Sequence, residues 1–306
     1  MENLNIDEFK RTGRAMGYVT PAAYHAAKGL LQNCVSKSTL TEFAKNPYRF
    51  KWAKDNGIQK TSTGFRFGSL VDALVLTPEM FDSLYRVEAV KVATKKDGTP
   101  YANGQQDKDQ KAEWAELEAQ GITVIAPEEY DKAAFCADEV TRELARQGLI
   151  LGETYDSQVG FMFHLEIPIA DGVLVPINYM GMIDILPRDI ERPIKDQKTT
   201  ALNVDDTYAI DRSIRSFSYG IQAASYSDML AQITGHQRDF SFFFVESAPP
   251  HCMADVTMRR DALDMYRKKY WKMLVLYAEC CHTGVWPGKI QDARDYLPTP
   301  YEEFEA

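Results

Sequence analysis

The stretch MGMIDILPRDIERPIKDQKTT holds two aspartates and a lysine, Asp184, Asp196 and Lys198, whose types and spacing could do chemistry. Asp184 stands near the end of one segment rich in β-branched and apolar residues, and Asp196-Gln197-Lys198 ends the next. A short antiparallel pair of strands would bring those ends to one point. Residues two apart on a strand share a face, so Asp196 and Lys198 should project together. Hard divalent cations take carboxylate oxygens, and Mg²⁺ in particular is held by one or two carboxylates, waters and substrate phosphate. Beside such a cation a lysine could hold or deprotonate an attacking water while charge on a phosphate is neutralised. Taken alone the D…D-x-K pattern is weak, and a surface hairpin closed by a salt bridge also satisfies it.

The elements that must position these groups can be read from periodicity. Residues 38–55 predict a helix bent near Pro47, and 64–77 (GFRFGSLVDALVLT) a nearly all-apolar, buried helix around one polar side chain, Asp72. A carboxylate there either coordinates a cation or sits protonated and hydrogen-bonded, because burying its charge is costly. Residues 91–111 have the composition of an exposed loop, with lysines interleaved among aspartates; 128–146 predict an amphipathic helix. Strands are expected over 159–167, 173–177, 180–186 and 193–198, then a helix over 211–233, strands over 240–246 and 252–258, and a helix over 260–281. Arg212 and Arg215 share a face of the 211–233 helix, where they could bind phosphate or pair with Asp205, Asp206 or Asp211. Phe242, Phe243 and Phe244 read as a buried strand. The segment from Trp286 is too rich in proline for regular structure.

These elements predict an α/β fold, a mixed central β-sheet flanked by helices. No internal repeat or linker divides 1–306, so one domain is expected, with a helical N-terminal region to about residue 150 and a catalytic sheet core over about 151–290. The start is charged and no run of eighteen apolar residues occurs, which predicts a soluble, cytoplasmic chain with no membrane partner. Five scattered cysteines without a CxxC pair indicate neither a disulfide framework nor a zinc finger, and Cys280-Cys281-His282 reads as ordinary packed side chains. A net charge of −9 argues against a surface basic everywhere but leaves room for a local basic track.

Several motifs together resemble a known family. GMIDIL…IKDQKTT resembles the paired-strand motif of PD-(D/E)XK nucleases, in the G-x-x-D…D-x-K-T-T form of the RecE-type (exonuclease VIII) and wider RecB-like group. FSYGIQAASY is similar to that group's Q-x-x-x-Y helix, VSKSTLTEFAKNPYRFKW to its S-x-S-x-L…P-x-x-F entry helix, and FGSLVDALVLTPEMF to its G-x-x-x-H-x-x-x-L-x-P helix. The resemblance runs from about Val35 to Gly288. It implies a metal-dependent DNA exonuclease, attacking linear duplex DNA 5′ to 3′ in phage-type recombination. It also implies Mg²⁺ (or Mn²⁺), a ring-shaped homo-oligomer and a single-strand annealing protein as partner.

Carried over residue by residue, it makes Asp184, Asp196, Lys198, Gln222 and Tyr226 catalytic. The metal set becomes Asp72, Glu166, Asp184, Asp196 and the backbone carbonyl of Gln197, and Ser36 and Ser38 become DNA contacts; Arg212 and Arg215 are expected as DNA contacts from their shared helix face alone, with pairing to the nearby aspartates equally open. Glu166 reads equally as an edge-strand surface residue, and Gln222 and Tyr226 as polar groups on an amphipathic helix. Asp72 departs from the family's histidine, and an aspartate is still an oxygen ligand suited to magnesium. Another nuclease of the superfamily, or a fold relative that binds DNA without cutting it, is the rival reading; the cysteines of the iron–sulfur branch are missing.

Overall fold

The computed structural model describes residues 2–58, 63–95, 99 and 106–288. Two long strands, β5 (Tyr155–Pro168) and β6 (Leu174–Pro187), form an antiparallel hairpin at the middle of a seven-stranded mixed sheet. The sequence suggests a break in β6 near Asn178, but the ladder runs through it, with His164↔Asn178 and Phe163↔Tyr179 paired. On one side β1 (Arg14–Tyr18) lies antiparallel to β5, and β2 (Cys34–Val35) adds in parallel to β6. On the other side follow β7 (Ile194–Thr200), β8 (Phe240–Glu246), parallel to β7, and β9 (Met253–Thr257). A separate parallel pair joins β3 (Tyr85–Val87) to β4 (Thr123–Ile125).

Helices cover both faces. The N-terminal ones are α1 (Ile6–Thr12), α2 (Pro21–Leu30), α3 (Lys37–Lys45), α4 (Pro47–Asp55) and α5 (Thr63–Leu76). Then come α6 (Phe81–Leu84), α7 (Lys108–Ala119) and α8 (Pro127–Arg146), followed by α9 (Thr207–Ser216), α10 (Tyr219–Thr234) and α11 (Arg260–Thr283). The strand β8 shows how the layers meet: Phe242 and Phe244 enter the core under α3, α10 and α11, while Phe243 and Val245 enter the one under α5 and α8. A strand buried on both faces reads as a continuous apolar run, which FSFFFVE is.

Two of the expected helices are split, the first where the sequence predicts a bend near Pro47 and the second without such a signal. The first breaks at Asn46, whose extended backbone lets its side-chain oxygen accept the Arg49 amide at 2.8 Å while Pro47 opens α4. The second breaks at Phe217-Ser218, where Ser218 is left-handed (φ 54°). Part of the expected 91–111 loop, and the proline-rich segment beyond residue 288, lie outside the described residues. Among the described residues, no helix is long and apolar enough to cross a membrane.

Candidate active site

Strands β6 and β7 share one register pair, Ile185↔Lys195, and then part. The Gln197 amide, left without a strand partner on that side, donates instead to Asp184 Oδ2 at 3.0 Å. Asp184 therefore sits in the fork between the two strands. Alternation along β7 sends Asp196 and Lys198 toward α10 and Gln197 toward α5. Asp196 is buried; one oxygen ion-pairs with Lys198 Nζ, and the other accepts from Gln222 Nε2 on α10. Across the sheet Gln197 Nε2 donates to Asp72 Oδ1 at 2.8 Å. The helix carrying Asp72 comes this close because Gly68 faces β7; a Cβ there would lie 3.0 Å from Thr199 Oγ1.

Three carboxylates thus gather around one ammonium. Asp72, Asp184 and Lys198 are only partly buried, so they line an opening while being surrounded by protein. Burial, with Asp196 close by, raises the Asp184 carboxyl well above the ordinary range, against the pull of Lys198. Burial likewise raises Asp72 to about 7, with Lys198 opposing and Asp196 assisting. For Lys198 burial disfavours the charge, but Asp196 and Asp184 outweigh it and hold the ammonium protonated, above the usual lysine value.

The donor set fits a hard cation. Gln197 Oε1, next to Asp72, is buried with no hydrogen-bond partner, and so is Gln158 Oε1. Gln158 lies across from Asp184 in the β5–β6 ladder, in the gap between the Ser157↔Ile185 and Val159↔Ile183 pairs, with its own backbone left-handed (φ 49°). Carboxylate and amide oxygens are what Mg²⁺, Mn²⁺ or Ca²⁺ prefer. Among the described residues no three acidic, histidine or cysteine side chains stand preformed as a metal cage. Lys198 is folded onto Asp196 in an ion pair.

The chain that carries this fork, with D…D-x-K on two adjoining strands, has counterparts among known proteins. Residues 36–296 fit the family described as PDDEXK-like domain of unknown function (DUF3799). The chain belongs to that family. No curated protein matches it in sequence. Among solved structures it is similar to a protein from Eubacterium rectale described as a candidate exonuclease, with TM-score 0.52 and 15% identity over 90% of this chain and 97% of that one. At that identity the likeness speaks for the fold. Protein VC1899 from Vibrio cholerae aligns over 90% of this chain and 62% of its own, at 12% identity, but a TM-score of 0.22 carries no argument.

Not every residue expected at the PDDEXK-like centre is there. Glu166 pairs with Pro176 toward the opposite end of the hairpin, exposed and held by His164 Nε2 at 2.8 Å, so it is not brought to the fork. The sequence spacing misplaced it because β5 and β6 run unbroken for 14 residues each and carry it away from Asp184. Tyr226 is buried, edge-on to Phe161, and its hydroxyl accepts the Met182 amide at 3.4 Å. That is a contact within the protein, two residues from Asp184, which suits positioning better than touching a ligand. Ser36 is buried as the cap of α3 and takes a hydrogen bond from Lys28 Nζ at 2.9 Å; Ser38 is exposed beside it. Arg212 and Arg215 are exposed on α9, and neither forms an ion pair with a described residue. Asp206, one of their possible partners, caps α9 through the Ala209 amide instead.

Two further groups stand at the site that the motifs did not single out. Lys37 Nζ donates to the Phe217 carbonyl at 2.9 Å, and both Lys37 Nζ and Lys198 Nζ lie 5.1 Å from the Tyr219 ring centroid. Burial and the Lys198 charge lower Lys37 to about 8. A signal existed for Tyr219: with Gln222 and Tyr226 it forms an i, i+3, i+7 face of α10. None existed for Lys37 beyond its place inside S-x-S.

Proposed function

We propose that the protein is a divalent-cation-dependent deoxyribonuclease centred on Asp72, Asp184, Asp196, Gln197 and Lys198. The observation that carries this is the crowding of acid at the fork, three carboxylates and an unpaired amide oxygen, of which Lys198 ion-pairs only Asp196. Clustered like charges in a partly desolvated place are costly unless a cation compensates them. Asp72, Asp184, Asp196 and the Gln197 carbonyl, which faces the fork with its amide, are the residues that would hold it. Mg²⁺ or Mn²⁺ bound there would stabilise charge on the phosphate and make water a better nucleophile. Lys198, kept protonated by its two aspartates, donates to a phosphate oxygen or to the attacking water and orients it. Gln222 fixes the rotation of the Asp196 carboxylate, and Tyr226 ties α10 to β6, so the acids stay aligned.

The substrate we infer is linear duplex DNA, degraded from 5′ ends. The support is the RecE-type form of the motifs, and the Eubacterium rectale neighbour is described as a candidate exonuclease. The same resemblance favours a homo-oligomeric ring, Mg²⁺ as the working cation, and a single-strand annealing partner. That β1 and β2 join the sheet carrying the centre supports one nuclease unit over the whole chain.

A time course with Mg²⁺ or Mn²⁺ on 5′- and 3′-labelled linear duplex, run beside covalently closed circles, tests both levels. Early release of the 5′ label with intact circles is expected. Nicking of circles at the same rate would make it an endonuclease. No hydrolysis of any DNA with either cation would remove the nuclease reading.

A further inference from the structure

Beside the fork a phenylalanine is held out into solvent on a rigid mount. Phe217 caps the end of α9 and is 61% exposed. Single exposed apolar side chains are common and need no explanation by themselves. Four features of this one go beyond that background. The next residue, Ser218, is left-handed (φ 54°, ψ 38°), a conformation most side chains avoid. It turns the chain between the exposed Phe217 and the partly buried Tyr219. The two rings are stacked, with centroids 5.5 Å apart and planes 22° from parallel. Tyr219 is in turn the ring over which Lys198 and Lys37 sit, so Phe217 is one ring removed from the candidate catalytic lysine. Finally, Lys37 Nζ grips the Phe217 carbonyl, tying the α9–α10 junction to α3.

Lys37 forms no ion pair with a described carboxylate, so an ammonium with donors to spare stands beside an exposed aromatic face. A flat apolar ring next to a partly buried ammonium that no described carboxylate pairs matches one repeating chemistry, a planar base joined to an anionic phosphate. We propose that Phe217 is a stacking platform for a nucleobase of the strand being cut, with Lys37 taking an adjoining phosphate. The proposal rests on the nuclease reading above and deepens it. A base must leave its pair to lie on the ring, so the platform favours single strands and frayed ends over closed duplex. It does not discriminate sequence, because every base has a π-face.

The test uses the whole protein with Ca²⁺, which is expected to support binding without turnover, and fluorescent single-stranded oligonucleotides read by anisotropy. Wild type, Phe217→Ala and Phe217→Trp are titrated against an intact oligonucleotide and a set with one abasic site moved along it. Phe217→Ala should weaken intact DNA by about 5- to 150-fold, the range for one base on one aromatic ring, and Phe217→Trp should restore it. At one abasic position wild type should lose a similar factor and Phe217→Ala should lose nothing further. A Phe217→Ala variant that binds every oligonucleotide as wild type does, or is weakened equally at all abasic positions, would overturn the platform while leaving the nuclease reading intact. Failure of wild type to bind or hydrolyse any DNA would overturn both.

Discussion

At the fork each aspartate is held differently, and the differences set what each should do when changed. Both oxygens of Asp196 are engaged inside the protein, by Gln222 and Lys198, whereas Asp184 and Asp72 each take one nitrogen donor, from Gln197, and otherwise face the opening. Asp184→Ala, Asp196→Ala and Lys198→Ala should each cut DNA hydrolysis at least about a hundredfold with folding retained, since each removes charge stabilisation from the transition state. Near-normal activity in any folded variant would dislodge the assignment. Asp72 and Asp184 hold their protons to higher pH than free carboxylates, Asp72 to about 7. A cation must displace those protons, so its affinity should climb as pH rises through about 7, where Asp72 gives up its proton. Without a cation the sign is opposite. The folded state keeps a proton that the unfolded chain gives up near pH 4, so this contribution to stability is full below that and declines until about pH 7. Thermal melts from pH 5 to 8, with and without Mg²⁺, measure both trends, and Asp72→Asn should flatten them in part. Asp184, Asp196 and Lys198 were legible because strand alternation and one turn bring them together. Asp72 was legible as the lone acid in an apolar helix. Lys37 was not, because its partner Phe217 lies 180 residues away and no local pattern announces that contact.

At the scale of elements, periodicity located most helices and strands; of their interruptions, which depend on single residues, Pro47 announced the first and nothing announced the one at Ser218. Asn46 and Ser218 each divide an apparently continuous amphipathic run, and only the second division creates the exposed Phe217. The short strands β1 and β2 escaped notice because two to five residues carry too little pattern, and their pairing partners lie far along the chain. Close contacts between elements rest on glycines whose role is equally local. A Cβ on Gly181 would fall 2.2 Å from Phe161 Cζ and 2.8 Å from Tyr226 Cε1, inside the contact that seats α10 on β6. Gly181→Ala should therefore cost about 1–3 kcal/mol through overpacking, read as a lower urea midpoint at unchanged slope. Activity should fall further than the folded fraction, because α10 also holds Asp196 through Gln222. Gly29 is the control: it lies within α2 with open space around its Cβ position, so Gly29→Ala should stabilise by about 0.5–1 kcal/mol. Equal effects at the two positions would contradict the packing argument.

For the molecule as a whole, charge poses the question of how a chain with 44 acidic and 35 basic residues engages a polyanion. A net charge of −9 sets up a repulsive far field, so encounter with DNA should be slower than for a basic protein at low salt. Affinity must come from the few cations that touch phosphate, and each such contact releases condensed counterions whatever the total charge. Candidates near the fork are Lys37 and Lys198 at the Tyr219 ring, with Arg212 and Arg215 exposed on α9, the helix that leads into Phe217, and in no ion pair with a described residue. Binding measured with Ca²⁺ should weaken with added salt, and the logarithmic slope should be shallow, about −0.7 per phosphate engaged on single strands and about −0.9 on duplex. Arg212→Gln and Arg215→Gln each remove one cation without touching the fork. If α9 lies along the DNA backbone, each should reduce the magnitude of the slope by a little under one and weaken all sequences alike. Hydrolysis at saturating DNA should be unchanged, because neither side chain reaches the aspartates. A slope identical to wild type in both variants would take α9 out of the DNA path and leave Lys37 and Lys198, at the Tyr219 ring, to meet the phosphates beside the centre.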